Sequence, residues 1–212
     1  MITNTFDFYY DVGTKMSVKN MKFKNHRAWT DTNCYNIYWK PLADKTIGDS
    51  GQIPTLTVNG CFLEDSKYPI EFLTNGTVPL KTASNVEITN SKFKNNEVNI
   101  YFSEETPNLH MNVLVKNNEF TGGRIAGIPN NAIFDSNTFT NTTKRSYAIQ
   151  YLFNKDTGPA NCKLVNNTFN TDYALQYMPY HNHSGAGGAT ETERKAIAKS
   201  ELPEMNKNKF KN

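Results

Sequence analysis

Five of the ionisable side chains that lie three or four residues after a phenylalanine are the candidates for chemistry in this sequence. They are His26, Arg27, Asp65, Glu97 and Arg124. A pair of carboxylates such as Asp65 and Glu97 can cleave a glycosidic bond, at ~5 Å with retention or ~6.5–9.5 Å with inversion. Glu97 and Arg124 can instead form a solvated ion pair that contributes under ~1 kcal/mol. Both interpretations require that the chain bring these positions together in space.

Aromatic side chains offer a second kind of chemistry, because flat rings stack on the apolar faces of sugars as well as on each other. The aromatic fraction is 12%. We predict an outward-facing set that consists of Trp29, Tyr35, Tyr38, Trp39, Tyr173 and Tyr180. Within it, Trp29, Trp39, Tyr173 and Tyr180 are the candidate sugar-binding rings. Alternation along a strand requires that some of the set belong to the core.

A repeated unit that ends in phenylalanine positions these side chains. Residues 86–93 (VEITNSKF) match residues 113–120 (VLVKNNEF). Further copies span residues 16–23, 132–139 and 162–169, and residues 56–62 form a copy that is one residue shorter. Residues 3–6 and 207–210 are interpreted as partial copies at the two ends. The chain is therefore built from copies of one repeated unit.

The length of the repeat predicts the architecture. The phenylalanines that end these units occupy positions 6, 23, 62, 93, 120, 139, 169 and 210. A period of ~20–50 residues is typical of solenoids, propellers and arrays, and the period-two alternation inside each unit indicates strands. The shortest intervals, 17 and 19 residues, cannot hold the four strands of a propeller blade. They fit one turn of a parallel β-solenoid, which gives seven or eight coils.

Asparagine is unusually frequent, with 29 in 212 residues. Five asparagines precede the phenylalanine that ends a repeat unit by three positions, namely Asn20, Asn59, Asn90, Asn117 and Asn166. Because successive coils of a solenoid lie ~4.8 Å apart, we predict that these amides stack as a hydrogen-bonded ladder.

The three cysteines, Cys34, Cys61 and Cys162, form no CxxC pair. We expect buried, small apolar side chains there, and neither a disulfide scaffold nor a thiolate zinc site.

Over residues 1–180 this repeat resembles the right-handed parallel β-helix superfamily, which includes pectate lyase-like enzymes and phage tailspikes or appendages. The resemblance implies an all-β, right-handed parallel β-helix and a tailspike-like homotrimer. Lyases of this fold use a basic residue as the Brønsted base, with acidic residues or a metal beside the sugar carboxylate, and hydrolases use paired carboxylates. The resemblance thus implies catalytic roles for Glu97, Asp65, Arg124, Arg27 and His26. It implies no cofactor, except Ca²⁺ in the case of a lyase.

Insertions interrupt the repeat at residues 40–54 and 103–110, and the largest break follows Tyr177. We therefore divide the chain into coils over residues 1–180 and a Gly-rich, helix-containing capping segment over 181–212. Thr190 and Glu193 form a capping-box signature that predicts a short helix over residues 191–199. His181 and His183 lack a third ligand at readable spacing, so we predict a surface loop and no metal site.

Charge and hydropathy narrow the functional classes. The formal net charge of +3 is close to balanced, and no basic stripe is visible in the sequence. Both observations argue against a dedicated nucleic-acid partner. No run approaches the ~18 apolar residues of a membrane span, and no secretory signal peptide is visible. We expect a phage-type module, in the virion tail or extracellular, that recognises a bacterial surface polysaccharide, with depolymerisation left open. The alternatives are a stand-alone bacterial lyase or glycoside hydrolase and a non-catalytic spacer of a fibre or adhesin.

Overall fold

Three parallel β-sheets, each of seven strands, make up the described part of the chain. The computed structural model describes residues 6–10, 15–24, 35–41, 53–72, 84–102, 111–129, 131–141, 147–153, 161–179 and 204–210. All regular secondary structure in these ranges is strand. The prediction of an all-β chain is confirmed there, and the predicted helix over residues 191–199 lies outside the described residues.

The strands follow one another through the three sheets in a fixed order. Sheet A contains β1 (Phe6–Tyr10), β4 (Tyr35–Pro41), β7 (Tyr68–Phe72), β10 (Val98–Phe102), β13 (Arg124–Ala126), β16 (Tyr147–Phe153) and β19 (Tyr173–Pro179). Sheet B contains β2 (Lys15–Lys19), β5 (Thr55–Asn59), β8 (Ser84–Thr89), β11 (Met111–Lys116), β14 (Ile133–Asp135), β17 (Lys163–Val165) and β20 (Glu204–Asn206). Sheet C contains β3 (Lys22–Lys24), β6 (Phe62–Glu64), β9 (Lys92–Lys94), β12 (Glu119–Thr121), β15 (Thr138–Thr140), β18 (Thr168–Asn170) and β21 (Lys209–Phe210).

One coil is a strand from sheet A, then one from B and one from C, so that β1–β3 form coil 1 and β19–β21 form coil 7. Every strand pairs in parallel with its counterpart in the next coil, as β8 does with β11 and β12 with β15. The chain is therefore a parallel β-helix of seven described coils. The repeat predicted this architecture correctly.

The inward face of sheet C is a column of aromatic rings. Phe93, Phe120, Phe139 and Phe169 stack with ring centroids 4.8–5.0 Å apart. Stacked rings at this distance add ~0.5–1.5 kcal/mol per pair to the free energy gained by burial. Phe210 continues the column at 5.5 Å but is 54% exposed in the last coil. The predicted partial copy at residues 207–210 is confirmed.

The prediction that Phe62 and Phe6 belong to this column is wrong. Leu63, not Phe62, is in register with Phe23 and Phe93, and Phe62 lies on the outer face of sheet C. The unit is not shortened, because Gly60 takes the place that Asn20 occupies in the preceding coil. Phe6 begins β1 in sheet A, where it pairs with Ile37, so residues 3–6 are not the end of a phenylalanine unit.

The predicted asparagine ladder is displaced by one residue. Asn20, Asn90, Asn117 and Asn166 are exposed and have φ of 52–57°, in the left-handed region, at the turn from sheet B to sheet C. Asparagine tolerates this conformation better than most residues, which explains its recurrence there. Asn59 is the last residue of β5, and its Nδ2 donates to Thr89 Oγ1 at 2.6 Å.

The hydrogen-bonded ladder comprises the next residue of each unit, Asn118, Asn137, Asn167 and Asn208. The Oδ1 atom of each accepts a main-chain N–H from the preceding coil at 2.9–3.0 Å. Each Nδ2 donates to a main-chain carbonyl of the preceding coil at 2.7–2.9 Å. The amides therefore satisfy backbone groups that the turn removes from the sheets.

Two cysteines pack in the core as predicted. Cys61 and Cys162 are buried free thiols, and burial raises the pKa of Cys162 to about 11. Their low thiolate content makes them poor nucleophiles and metal ligands. Cys34 lies outside the described residues.

Within the described ranges, no helix has the length and apolar character needed to cross a bilayer.

Candidate functional site

The outer face of sheet A carries a row of polar and aromatic side chains behind a row of isoleucines. Ile37, Ile70 and Ile100 are fully buried and in register across β4, β7 and β10. The residue after each of them points away from the core, because side chains alternate along a strand. Tyr38, Glu71 and Tyr101 therefore follow one another at ~4.8 Å, the spacing of adjacent strands.

Two further tyrosines lie against this row. Tyr35 stacks on Tyr38 with ring centroids 4.3 Å apart, and Tyr68 contacts Tyr101 at 5.4 Å. Tyr35 and Tyr68 begin β4 and β7 and are in register with each other. We name the five residues Tyr35, Tyr38, Tyr68, Glu71 and Tyr101 the sheet A surface. It places four phenol rings around one carboxyl group; Tyr38, which was predicted to face outward, is only 8% exposed, and the other three are partly exposed.

Glu71 is only 9% exposed although it belongs to the outer row. Burial raises the pKa of its carboxyl group from the ordinary 4.5 to about 7, and no other influence contributes. Within the described part of the chain, no cation or hydrogen-bond donor contacts this carboxyl group. A carboxyl group with a pKa near 7 can give or take a proton at neutral pH, which an ordinary glutamate does inefficiently.

Arg124 and Gln150 extend the surface along the helix axis. The Arg124 Nε donates to Gln150 Oε1 at 3.1 Å, and Gln150 occupies the same outer row as Glu71 through Ala126. Gly123, with φ +69°, precedes Arg124 where a Cβ would collide with the main-chain oxygen of Asn96. The backbone at this point accommodates only glycine without adjustment.

The structure places the predicted carboxylate pair at the corner between sheets C and A. Asp65 has φ +56° and its main-chain N donates to Lys94 O, so it stacks on Asn95. The main-chain N of Glu97 donates to Ser66 O, so Glu97 stacks beside Lys67. Asp65 and Glu97 thus belong to consecutive coils but to rows two residues apart. Their catalytic role stays a prediction.

Arg124 is in register with Val98, the residue after Glu97. The two charged side chains therefore do not share a row. Their equal distance from Phe93 and Phe120 in the sequence predicted that they would. Among the residues that the structure describes, no ion pair joins Glu97 to Arg124. Arg124 contacts Gln150 instead. His26 and Arg27 lie outside the described residues.

The predicted aromatic platform divides between core and surface. Trp39 is 1% exposed and in register with Phe72, so its ring belongs to the core and the prediction that it faces outward is wrong. Tyr173 is 55% exposed and in register with Tyr147. Trp29 and Tyr180 lie outside the described residues, as do His181 and His183.

Glu71, Tyr68 and Tyr101 escaped the sequence analysis, which aligned only positions after phenylalanine. A second motif marks them: in β4, β7, β10 and β16 a fully buried isoleucine is followed by an outward residue, as in Ile70-Glu71 and Ile100-Tyr101. A lone carboxylate inside the apolar strand YPIEF was the available signal.

No group of three or more His, Cys, Asp or Glu side chains within the described ranges could hold a metal ion.

Comparison with known proteins returned no relative. No family model matches the chain, and neither does any curated protein or solved structure.

Proposed function

We propose that this chain recognises a polysaccharide along the outer face of sheet A. The observation that supports this proposal is the sheet A surface, where four tyrosines surround Glu71 over three consecutive coils. Tyrosine rings contribute flat apolar area for the faces of sugars, and their hydroxyl groups exchange hydrogen bonds with sugar hydroxyls. Arg124 and Gln150 add polar partners in the following coils.

The regularity of the fold favours a polymer over a small ligand. Equivalent side chains recur at ~4.8 Å along the helix axis, so a linear chain of similar units can meet similar groups in successive coils. A bacterial surface glycan and a tailspike-like role, in the virion tail or outside the cell, follow from the resemblance to phage β-helices. A homotrimer is part of the same proposal, and sedimentation equilibrium tests it directly.

A saccharide array probed with the purified full chain tests this proposal, followed by titration of each positive glycan. We expect Tyr101→Ala and Tyr68→Ala to weaken binding about tenfold, because truncating an aromatic residue at the centre of an interface typically costs ~1–2 kcal/mol. Tyr173 is a second candidate ring on the same sheet, three coils from Tyr101, so Tyr173→Ala measures how far the bound glycan extends. Ile133→Ala, at an exposed apolar residue of sheet B, is the control, and a loss equal to those of Tyr68→Ala and Tyr101→Ala would contradict a site on sheet A.

Cleavage of the bound glycan is a second candidate function, and the Glu71 carboxyl group is the observation that favours it. A general acid works best with a pKa near the working pH, and burial of Glu71 supplies that condition. Mass spectrometry of glycan mixtures separates the candidates, since shortened products indicate an enzyme. Glu71→Gln and Glu97→Gln then distinguish the two carboxylates, because only loss of the active one abolishes product formation.

A structural spacer is the outcome that contradicts both candidates. Its core would be the same column of phenylalanines and ladder of asparagines, which need no ligand. Absence of any glycan binding by the full chain, with its β-structure verified by circular dichroism, would favour this third function.

A further inference from the structure

Sheet C carries a compact group of lysines on the outer face of its first three strands. We name the six outer residues of β3, β6 and β9 the lysine cluster: Lys22, Lys24, Phe62, Glu64, Lys92 and Lys94. All four lysines are exposed, although Glu64 between them is buried. Four lysines and one glutamate leave a formal charge of +3, equal to that of the entire chain.

The positive charge is concentrated in these three strands, whereas the last strand of the sheet, β21, adds Lys209 alone. In the next three strands, β12, β15 and β18, the outer positions hold Glu119, Asn170 and otherwise threonine. All six strands pack on the same column of core side chains. Core packing therefore does not explain why the lysines lie on the first three strands and not on the next three. Exposed Lys15 and Lys19 of β2 enlarge the positive region in coil 1.

Glu64 holds two of the lysines in place. Its carboxylate lies 2.5 Å from Lys24 Nζ and 3.0 Å from Lys94 Nζ, one coil to either side. Hydrogen bonds from Lys24 and Lys94 lower the pKa of Glu64, so the bridge is ionised at neutral pH. Each ammonium group has three donors and uses one of them here, which leaves the others for an external anion.

Phe62 occupies the corresponding position in the other row. It lies between Lys22 and Lys92 in register, with Lys22 Nζ 5.3 Å and Lys24 Nζ 5.8 Å from its ring centroid. The ring therefore orders two ammonium groups by cation–π attraction. It is also a half-exposed apolar platform between two cations, where the face of a sugar ring can stack.

We propose that the lysine cluster binds a linear acidic polysaccharide that runs along the helix axis and carries a carboxylate or sulfate on alternate sugars. Lys22 and Lys92, like Lys24 and Lys94, lie two coils apart, or ~9.6 Å. A polymer with one anion per two sugars can place successive anions on these pairs and an uncharged ring over Phe62. This inference is independent of the sheet A surface and of its proposed ligand.

A nucleic acid is the less favoured polyanion. Its binding usually draws on a high overall basicity, and the chain outside the lysine cluster has as many acidic as basic residues. The cluster has a single aromatic ring rather than the series of rings on which successive bases stack. Duplex DNA is therefore the competitor that the test must include.

The test measures binding of the full chain to hyaluronate, whose carboxylates lie on alternate sugars, with uncharged dextran and duplex DNA as comparison probes. We expect binding to hyaluronate that weakens as salt rises, because cation–polyanion contacts release counterions. Lys22→Ala/Lys92→Ala should weaken it about tenfold and reduce the slope of log K against log salt by about 2. Neither lysine contacts Glu64, so the bridge to Lys24 and Lys94 remains.

The matched control is Lys163→Ala/Lys209→Ala, which removes the same charge from exposed positions at the other end of the helix. Lys163 pairs with Glu204 across an exposed strand pair, as Lys92 does with Glu119. We expect this control to keep the affinity within about twofold. Equal losses in both double variants, no binding to hyaluronate, or tighter binding to duplex DNA would each overturn the proposal.

Discussion

Asn167 Oδ1 accepts two hydrogen bonds from Asn137, one from its main-chain N at 2.9 Å and one from its Nδ2 at 3.0 Å. The remaining Nδ2 proton of Asn137 reaches Val115 O at 2.8 Å in the coil before. A single side chain therefore connects three consecutive coils. Because each of these asparagines is nearly or fully buried, the bonds are made where water cannot replace them.

Asn137→Ala should destabilise the chain by about 2–4 kcal/mol. The substitution leaves Asn118 N and Val115 O buried without their partner, and each unsatisfied group costs ~1–3 kcal/mol. Urea unfolding followed by circular dichroism measures the change. The control is Asn117→Gly, at the exposed left-handed residue, which should change the free energy of unfolding by less than about 0.5 kcal/mol. Similar losses in both variants would contradict the role assigned to the buried ladder.

Leu63→Ala and Phe62→Ala test which of two neighbouring residues fills the core. Leu63 is fully buried between Phe23 and Phe93, so we expect its truncation to cost about 2–5 kcal/mol. Phe62 lies on the outer face, and its truncation should cost less than about 1 kcal/mol. The reverse order in thermal or urea unfolding would restore Phe62 to the phenylalanine column.

The sequence predicted the architecture because the signal that specifies a β-helix is periodic. Alternation shows where strands lie, and the recurring Phe93, Phe120, Phe139 and Phe169 show that equivalent strands stack. Both patterns depend on side-chain hydrophobicity, which can be read from residue type. The predicted coils and the buried Cys61 and Cys162 followed from this information alone.

Register and side-chain roles depend on information that residue type does not carry. Phe62 and Leu63 are both apolar, and only the left-handed conformation at Gly60 decides which one faces inward. The same conformation explains why Asn117 repeats at the turn while its neighbour Asn118 makes the hydrogen bonds. Glu71 was missed because the alignment was anchored on sheet C, whereas the candidate site lies on sheet A.

Gly123→Ala should be more harmful than Gly122→Ala. Both glycines have positive φ, which costs an alanine ~1 kcal/mol. A Cβ at Gly123 would also collide with Asn96 O, whereas at Gly122 the nearest atoms lie 3.8 Å away. We expect losses of about 2–4 kcal/mol and about 1 kcal/mol respectively. Equal losses in urea unfolding would show that the corner before Arg124 is looser than the structure has it.

Glu71→Gln should change the pH dependence of stability. The pKa of Glu71 is about 7 in the folded chain, above its ordinary value of 4.5. Between these values the unfolded chain loses the proton and the folded chain keeps it, so the free energy of unfolding falls as pH rises. Glutamine does not titrate. Allowing for water that reaches the carboxyl group, the variant should gain about 1–2 kcal/mol relative to the natural chain between pH 4.5 and pH 8.

Urea unfolding of both proteins at pH 4, 5.5, 7 and 8 measures this gain. Glu97→Gln is the control, because it alters an exposed carboxylate that the described residues leave unpaired, and its effect should stay within about 0.5 kcal/mol at every pH. If the Glu71→Gln and natural curves run parallel from pH 4 to pH 8, the carboxyl group is solvated in the folded chain. Glu71 would then lack the neutral-pH proton that makes it the candidate for glycan cleavage, since burial is the sole cause of its raised pKa.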